Sequence, residues 1–110
     1  MKLIKCVVRP SSTDDVVEAL RRRNVSGVMV SEVREFDDTR TRTAVYHGRE
    51  YTVKLHPKMM IEVVACDSAV SEIVDTIMQS ARTPDAGDGQ VFVLPIGETY
   101  QIRTGEHSAA

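Results

Sequence analysis

Alternation of apolar and polar residues opens the chain. Residues 2–8, KLIKCVV, are rich in β-branched side chains at period two and predict a strand, which Arg9-Pro10-Ser11-Ser12 stops. The spacing then changes to that of a helix, with Val16, Ala19 and Leu20 on one face. Its start is placed at Ser12 or Thr13, either of which could accept a hydrogen bond from a free backbone N–H. Asp14 and Asp15 suit the positive end of its dipole. Arg21, Arg22 and Arg23 fall at the negative end, and Gly27 closes the turn. Residues 28–36, VMVSEVREF, read as a second strand and residues 58–66, KMMIEVVAC, as a third. Between them, Asp37 to Pro57 is a polar stretch whose length marks a functional or mobile loop. Asp67 or Ser68 is the expected cap of a second helix, whose Val70, Ile73, Val74, Ile77, Met78 and Ala81 form an unbroken stripe. A loop over 82–90, a fourth strand QVFVLPI and a polar tail over 97–110 complete the chain.

The element order β-α-β-β-α-β predicts an α+β, ferredoxin-like subunit: an antiparallel sheet with two helices on one face. Ile4, Cys6 and Val8 point to one side of the first strand, and Leu3 and Val7 to the other. Two helices cover one face only, so the second face is expected to meet another subunit.

A length of 110 residues supports one domain spanning 1–110, and 42% hydrophobic residues are too many for a disordered chain. With 14 Lys and Arg against 16 Asp and Glu, the net charge of −2 speaks against a general nucleic-acid binder. RNA-binding forms of this fold carry aromatics on the central strands, which here supply only Phe92. No apolar run reaches the roughly 20 residues that span a bilayer, and Lys5 and Arg9 interrupt the N-terminal apolar run, so no signal peptide is read there. Cys6 and Cys66 both lie in apolar strand-like runs and are taken as reduced, which points to the cytoplasm. His47, His56 and His107 are scattered, and no CxxC or HxxxH spacing suggests a metal.

Two segments have residues suited to an anion. In Thr83-Pro84-Asp85-Ala86-Gly87-Asp88-Gly89 the glycines flanking an aspartate let the backbone approach a phosphate, though Asp-Gly is also plain turn chemistry. In Ile102-Arg103-Thr104-Gly105-Glu106 the arginine fork could grip a phosphate or simply face water. Nothing resembles a nucleophile elbow, and the adjacent Asp37 and Asp38 fit solvated carboxylates better than a catalytic pair.

MKLIKCVVRP, DDVVEAL, SGVMVSEV, YHGREY, LHPKMMIEVV, ARTPDAGDGQVFVLPI and IRTGE succeed one another as in the PII signal-transduction proteins, which the chain resembles from Met1 to about Glu106. That resemblance implies a homotrimeric regulator of nitrogen metabolism and not an enzyme. It implies ATP or ADP held between subunits, with 2-oxoglutarate beside the nucleotide in many members; the altered site described below adds AMP as a candidate. It further implies a long loop over 37–57 that engages a membrane transporter or metabolic enzyme. Residue by residue, Gly87, Asp88, Gly89 and Gln90 match the phosphate loop. Arg103 and Gln101 match the tail's phosphate-binding positions, and Met29 and Val64 lie near the adenine. Asp38 lies at the loop root, Lys58 matches the 2-oxoglutarate lysine, and Tyr51 matches a tyrosine that some members have uridylylated.

The departures are concentrated in that site. Basic residues are usual where this chain has Asp38, Gln90 and Gln101, a glycine at Asp37, a glutamine at Thr39 and a threonine at Met29. Each lost cation removes a charge-assisted hydrogen bond worth about 1.5–3 kcal/mol, and Asp38 adds repulsion. Arg40 and Arg42 are candidate replacements. Weakened ATP binding and loss of Mg-dependent 2-oxoglutarate sensing are expected. The alternative is an interaction module that has lost this sensing and binds another small molecule, or its partner constitutively. The run ETYQIRTGE also resembles the nitrogenase-linked branch of the family.

Overall fold

In the computed structural model, residues 1–25, 27–36, 55–84 and 87–108 are described in full, and 42–46, 49–53 and 109 by their backbone. Strand β1 (Lys2–Val8) lies between β5 (Leu55–Ala65) and β6 (Gly89–Pro95), and β2 (Met29–Phe36) flanks β5. The order β2-β5-β1-β6 with every pair antiparallel is the ferredoxin-like arrangement. Helices α1 (Thr13–Arg22) and α2 (Val70–Ala81) pack on one another and on the sheet.

Register follows from which side chains must leave water. Ile4 is opposite Val63 on one side and Val93 on the other, and Cys6 is opposite Ile61 and Val91. Ile4, Cys6, Val8, Ile61 and Val63 are buried against Val16 and Leu20 of α1 and Ile73, Ile77 and Ala81 of α2. A slip of one residue would turn this whole set to the opposite face. That opposite face carries Leu3, Val7, Met60, Val64, Phe92 and Leu94, with Met29, Val64, Phe92 and Leu94 exposed. A Lys5–Glu62 ion pair at 3.9 Å lies among them.

Both helix starts differ from the capped starts the sequence suggests. Pro10–Ser12 is a 3₁₀ turn running into α1, so Ser12 is already helical and its side chain makes no cap bond. Thr13 Oγ1 instead donates to the Arg9 carbonyl at 3.4 Å. Proline pre-sets a helical φ and so moves the start upstream of the candidate caps. Asp67–Ala69 does the same before α2, with no side-chain cap, and the Asp67 carboxylate lies 2.9 Å from the Met1 amino group. The turn that closes α1 is made at Asn24, two residues past the helix end, rather than at Gly27: Asn24 has φ +61, and the Val25 N–H reaches back to the Leu20 carbonyl. Arg21 and Arg22 pair with Glu18, whose carboxyl the Arg21 hydrogen bond lowers to about 2, and Arg23 pairs with Glu72 on α2.

Other boundaries shift as well. Strand β5 begins at Leu55 because β2 continues to offer partners as far as Phe36, and Cys66 lies beyond its end, exposed. Within 37–57, β3 (Arg42–Tyr46) and β4 (Arg49–Val53) form an antiparallel hairpin, so this stretch is not structureless throughout. In the tail, β7 (Glu98–Tyr100) pairs with β8 (His107–Ala109), and the Tyr100 and His107 rings stack at 5.1 Å. Phe92 sits on the edge strand β6, not on a central strand.

The two cysteines should behave differently. Burial pushes the Cys6 thiol up to about 11, whereas Cys66 is exposed. A thiol reagent at pH 8 should label one site per native chain, mapped to Cys66, and two after denaturation. Native labelling of Cys6 would contradict the register of β1.

Candidate functional site

The loop between α2 and β6 is held by three elements. After Ala81 the chain turns at Arg82, in extended conformation, and Thr83 closes the loop on Asp88. The Thr83 N–H donates to Asp88 Oδ2 at 2.6 Å, and the Thr83 hydroxyl donates to Oδ1. Arg9, one residue past β1, places Nε 3.5 Å from the same Oδ1. Charge and donors together hold the Asp88 carboxyl below the usual carboxylate range, the Thr83 hydrogen bonds first and Arg9 after them. From β5, the Lys58 ammonium donates to the Gly87 carbonyl at 2.9 Å, and Lys58 is only 5% exposed.

Backbone contact completes the arrangement. Gly87 and Gly89 have φ of +86 and +123, a region side chains rarely adopt. At Gly89 a Cβ would lie 1.8 Å from the Val7 carbonyl oxygen, so the loop meets β1 with no space between. A cavity of about 170 Å³ lies beside it, with Val8, Ile77, Ala81 and Val91 in its apolar wall. A wider one of about 520 Å³ lies next to Lys58, where Pro10, Glu32, Arg34 and Pro57 meet.

Gly87, Asp88, Gly89, Gln90 and Lys58 are therefore brought together at one end of the sheet. Asp88 is turned toward Thr83 and Arg9, and Gln90 is exposed opposite Val7. Met29 and Val64 are not brought to them. Met29 is on edge strand β2 opposite Glu62, and Val64 lies opposite Leu3. Strands β2 and β6 are opposite edges of the sheet, three spacings or about 14 Å apart. Gln101 and Arg103 are exposed in the turn joining β7 to β8, which is closed by Gln101 N–H to Glu106 O at 2.7 Å and Gly105 N–H to Gln101 O at 2.8 Å. Next to Arg103, Ile102 is fully exposed. Asp38, with Asp37, Thr39 and Arg40, lies outside the described residues, as do the side chains of Arg42 and Tyr51. Thr83 belongs to the loop picked out in the sequence, but Arg9 was not legible as a site residue, because its link to Asp88 depends on where β1 and β6 align.

The family of nitrogen regulatory proteins P-II matches the chain by its family model over residues 1–106. The chain belongs to the P-II family. It is 41% identical over 110 residues to the nitrogen regulatory protein P-II of Klebsiella oxytoca, covering 100% of this chain and 98% of that relative. Against the P-II protein of Azospirillum brasilense the identity is 42% over 106 residues, 96% and 95% of the two chains. Nitrogen regulatory protein P-II 1 of Escherichia coli K12 is 41% identical over 110 residues. A signalling role in nitrogen regulation follows from this membership, and P-II proteins as a family bind effectors and act on partner proteins. They are regulators rather than enzymes. Among the described residues no helix is long and apolar enough to cross a membrane, and no group of three metal-ligating side chains occurs.

For this P-II chain the loop contacts give two expectations. Gly89→Ala should cost at least about 3 kcal/mol in thermal or denaturant unfolding, because backbone blocks the new methyl. Gly97→Ala, with nothing within 4 Å of the added carbon, should be tolerated. The lowered Asp88 carboxyl stabilises the fold above the ordinary aspartate range, and that contribution is lost as pH falls through its native value. Unfolding of Asp88→Asn should therefore show a flatter acid limb than the parent chain, and identical limbs would refute the assignment.

Proposed function

We propose that this chain is a P-II regulator, not an enzyme, that binds an adenine nucleotide between subunits of a homotrimer and acts through the 37–57 segment. The observation that carries this reading is the loop at Gly87–Gln90, bonded through Lys58 to β5, the strand into which 37–57 runs. A ligand that contacts this junction differently in two conformations would bias the segment, and a partner would read the result. The exposed apolar sheet face supports assembly: Met29, Val64, Phe92 and Leu94 are suited to burial against a second and third copy. Met29 and Val64 would then complete the site from the neighbouring subunit, since within one chain Met29 is on the far edge strand and Val64 near the end of β5 away from Lys58. Cytoplasmic residence and a transporter or metabolic enzyme as target accord with this role.

The effector site is altered relative to what a polyphosphate favours. Gln90 and Gln101 offer neutral amides, and Met29 offers no hydroxyl. ATP should bind weakly, with little Mg-dependent 2-oxoglutarate synergy and a relative preference for ADP or AMP. The same missing cations favour the second reading, a module that binds its partner regardless of nucleotide.

Calorimetry with ATP, ADP and AMP, with and without Mg and 2-oxoglutarate, distinguishes these readings. Gln90→Lys should tighten ATP binding about tenfold or more, the worth of one charge-assisted hydrogen bond. Tight ATP binding by the parent chain, sharpened by 2-oxoglutarate, would overturn the altered site. Partner capture unaffected by any nucleotide would establish the second reading.

A further inference from the structure

The loop over 87–90 owes its position to a residue outside it. Arg9 stands where three elements meet. Its carbonyl accepts the Ser12 N–H at 3.0 Å and the Thr13 hydroxyl at 3.4 Å, which fixes its backbone to the start of α1. It follows Val8, which faces Gly89 in the last pair of the β1–β6 ladder, so the next step along the two strands brings Arg9 toward Asp88. The Nε–Oδ1 ion pair at 3.5 Å spans that step, with both side chains largely withdrawn from water at 31% and 24% exposure. The carboxylate that Arg9 engages also takes both donors of Thr83, so its position sets where the loop leaves α2 and where it enters β6.

We propose that Arg9 is a positioning residue for nucleotide binding: through Asp88 it fixes the backbone of Gly87–Gln90 in the conformation that receives the phosphates. The nucleotide part of this inference rests on the reading under Proposed function, whereas the positioning part does not. Arg9 acts through Asp88 and has no need to touch the ligand. This distinguishes it from a phosphate-gripping arginine such as the one proposed at Arg103. It also gives the Asp88 carboxylate, an acid in an anion-binding loop, a purpose: it is the internal ligand that Arg9 and Thr83 hold, turned from the phosphates.

Amide hydrogen exchange on the full chain without ligand tests the positioning. In Arg9→Ala, exchange at residues 87–90 should rise about tenfold, while amides of Ile61 and Val63 in β5 stay within about twofold of the parent. Arg9→Lys should restore part of the protection, and Arg9→Ala combined with Asp88→Asn should exchange no faster than Asp88→Asn alone. Unchanged exchange at 87–90, or an equal rise throughout the sheet, would overturn the proposal. Calorimetry then tests the link to binding. Arg9→Ala should weaken ATP and ADP by the same factor, and a markedly larger loss for ATP would show direct phosphate contact and refute positioning. If the parent chain binds no adenine nucleotide, the reading under Proposed function fails along with the binding half of this inference. The exchange result still decides whether Arg9 positions the loop.

Discussion

The alignment of β1 with its two neighbours is the constraint on which the other features rest. Ile4 meets Val63 on one side and Val93 on the other, and this single register decides three things at once. It sends Ile4, Cys6 and Val8 into the helices, and it leaves Leu3 and Val7 on the uncovered face. It also sets the Val7 carbonyl against Gly89 and carries Arg9 to the level of Asp88. Burial of the apolar set drives the alignment, so core packing brings the polar partners that hold the loop within reach of one another.

The Lys58–Gly87 bond adds a second dependence. Lys58 is 5% exposed and must keep its charge partnered, since an unpaired buried charge is costly, and one of its partners is a loop carbonyl. Strand β5 therefore connects the hairpin-bearing segment directly to the loop before β6. An anion drawing Lys58 away would release that carbonyl, so movement at one place has a defined effect at the other.

Much of this was legible from residue pattern. The strands read at 2–8 and 28–36, the second of which starts at Met29 in the structure, the stripe of α2 and the apolar second face all follow from periodicity, because burial imposes period two on strands and 3.6 on helices. Capping was not, since Pro10 draws Ser12 into the helical turn before its side chain can act as a cap. The hairpin of β3 and β4 was missed because its short runs RTAVY and REYTV are interrupted by charged residues and lie within a stretch read as one polar loop. In the candidate site, family resemblance identified Gly87, Gly89 and Lys58, whose setting depends on a few neighbouring residues. It could not reveal that Met29 and Gln90 occupy opposite edges, nor that Arg9 faces Asp88, because strand order and register are properties of the folded sheet.

The rigid setting of Gly87–Gln90 has a kinetic consequence. A loop already held by Arg9, Thr83, Lys58 and the Val7 carbonyl loses little conformational freedom when it receives a ligand. Its encounter rate is then governed by diffusion and local charge rather than by waiting for the loop to order itself. Differences in affinity among effectors fall on how long each one stays. Under the reading proposed above, such a receptor would track falling effector levels on the timescale of dissociation, and neutral amides at Gln90 and Gln101 would shorten it.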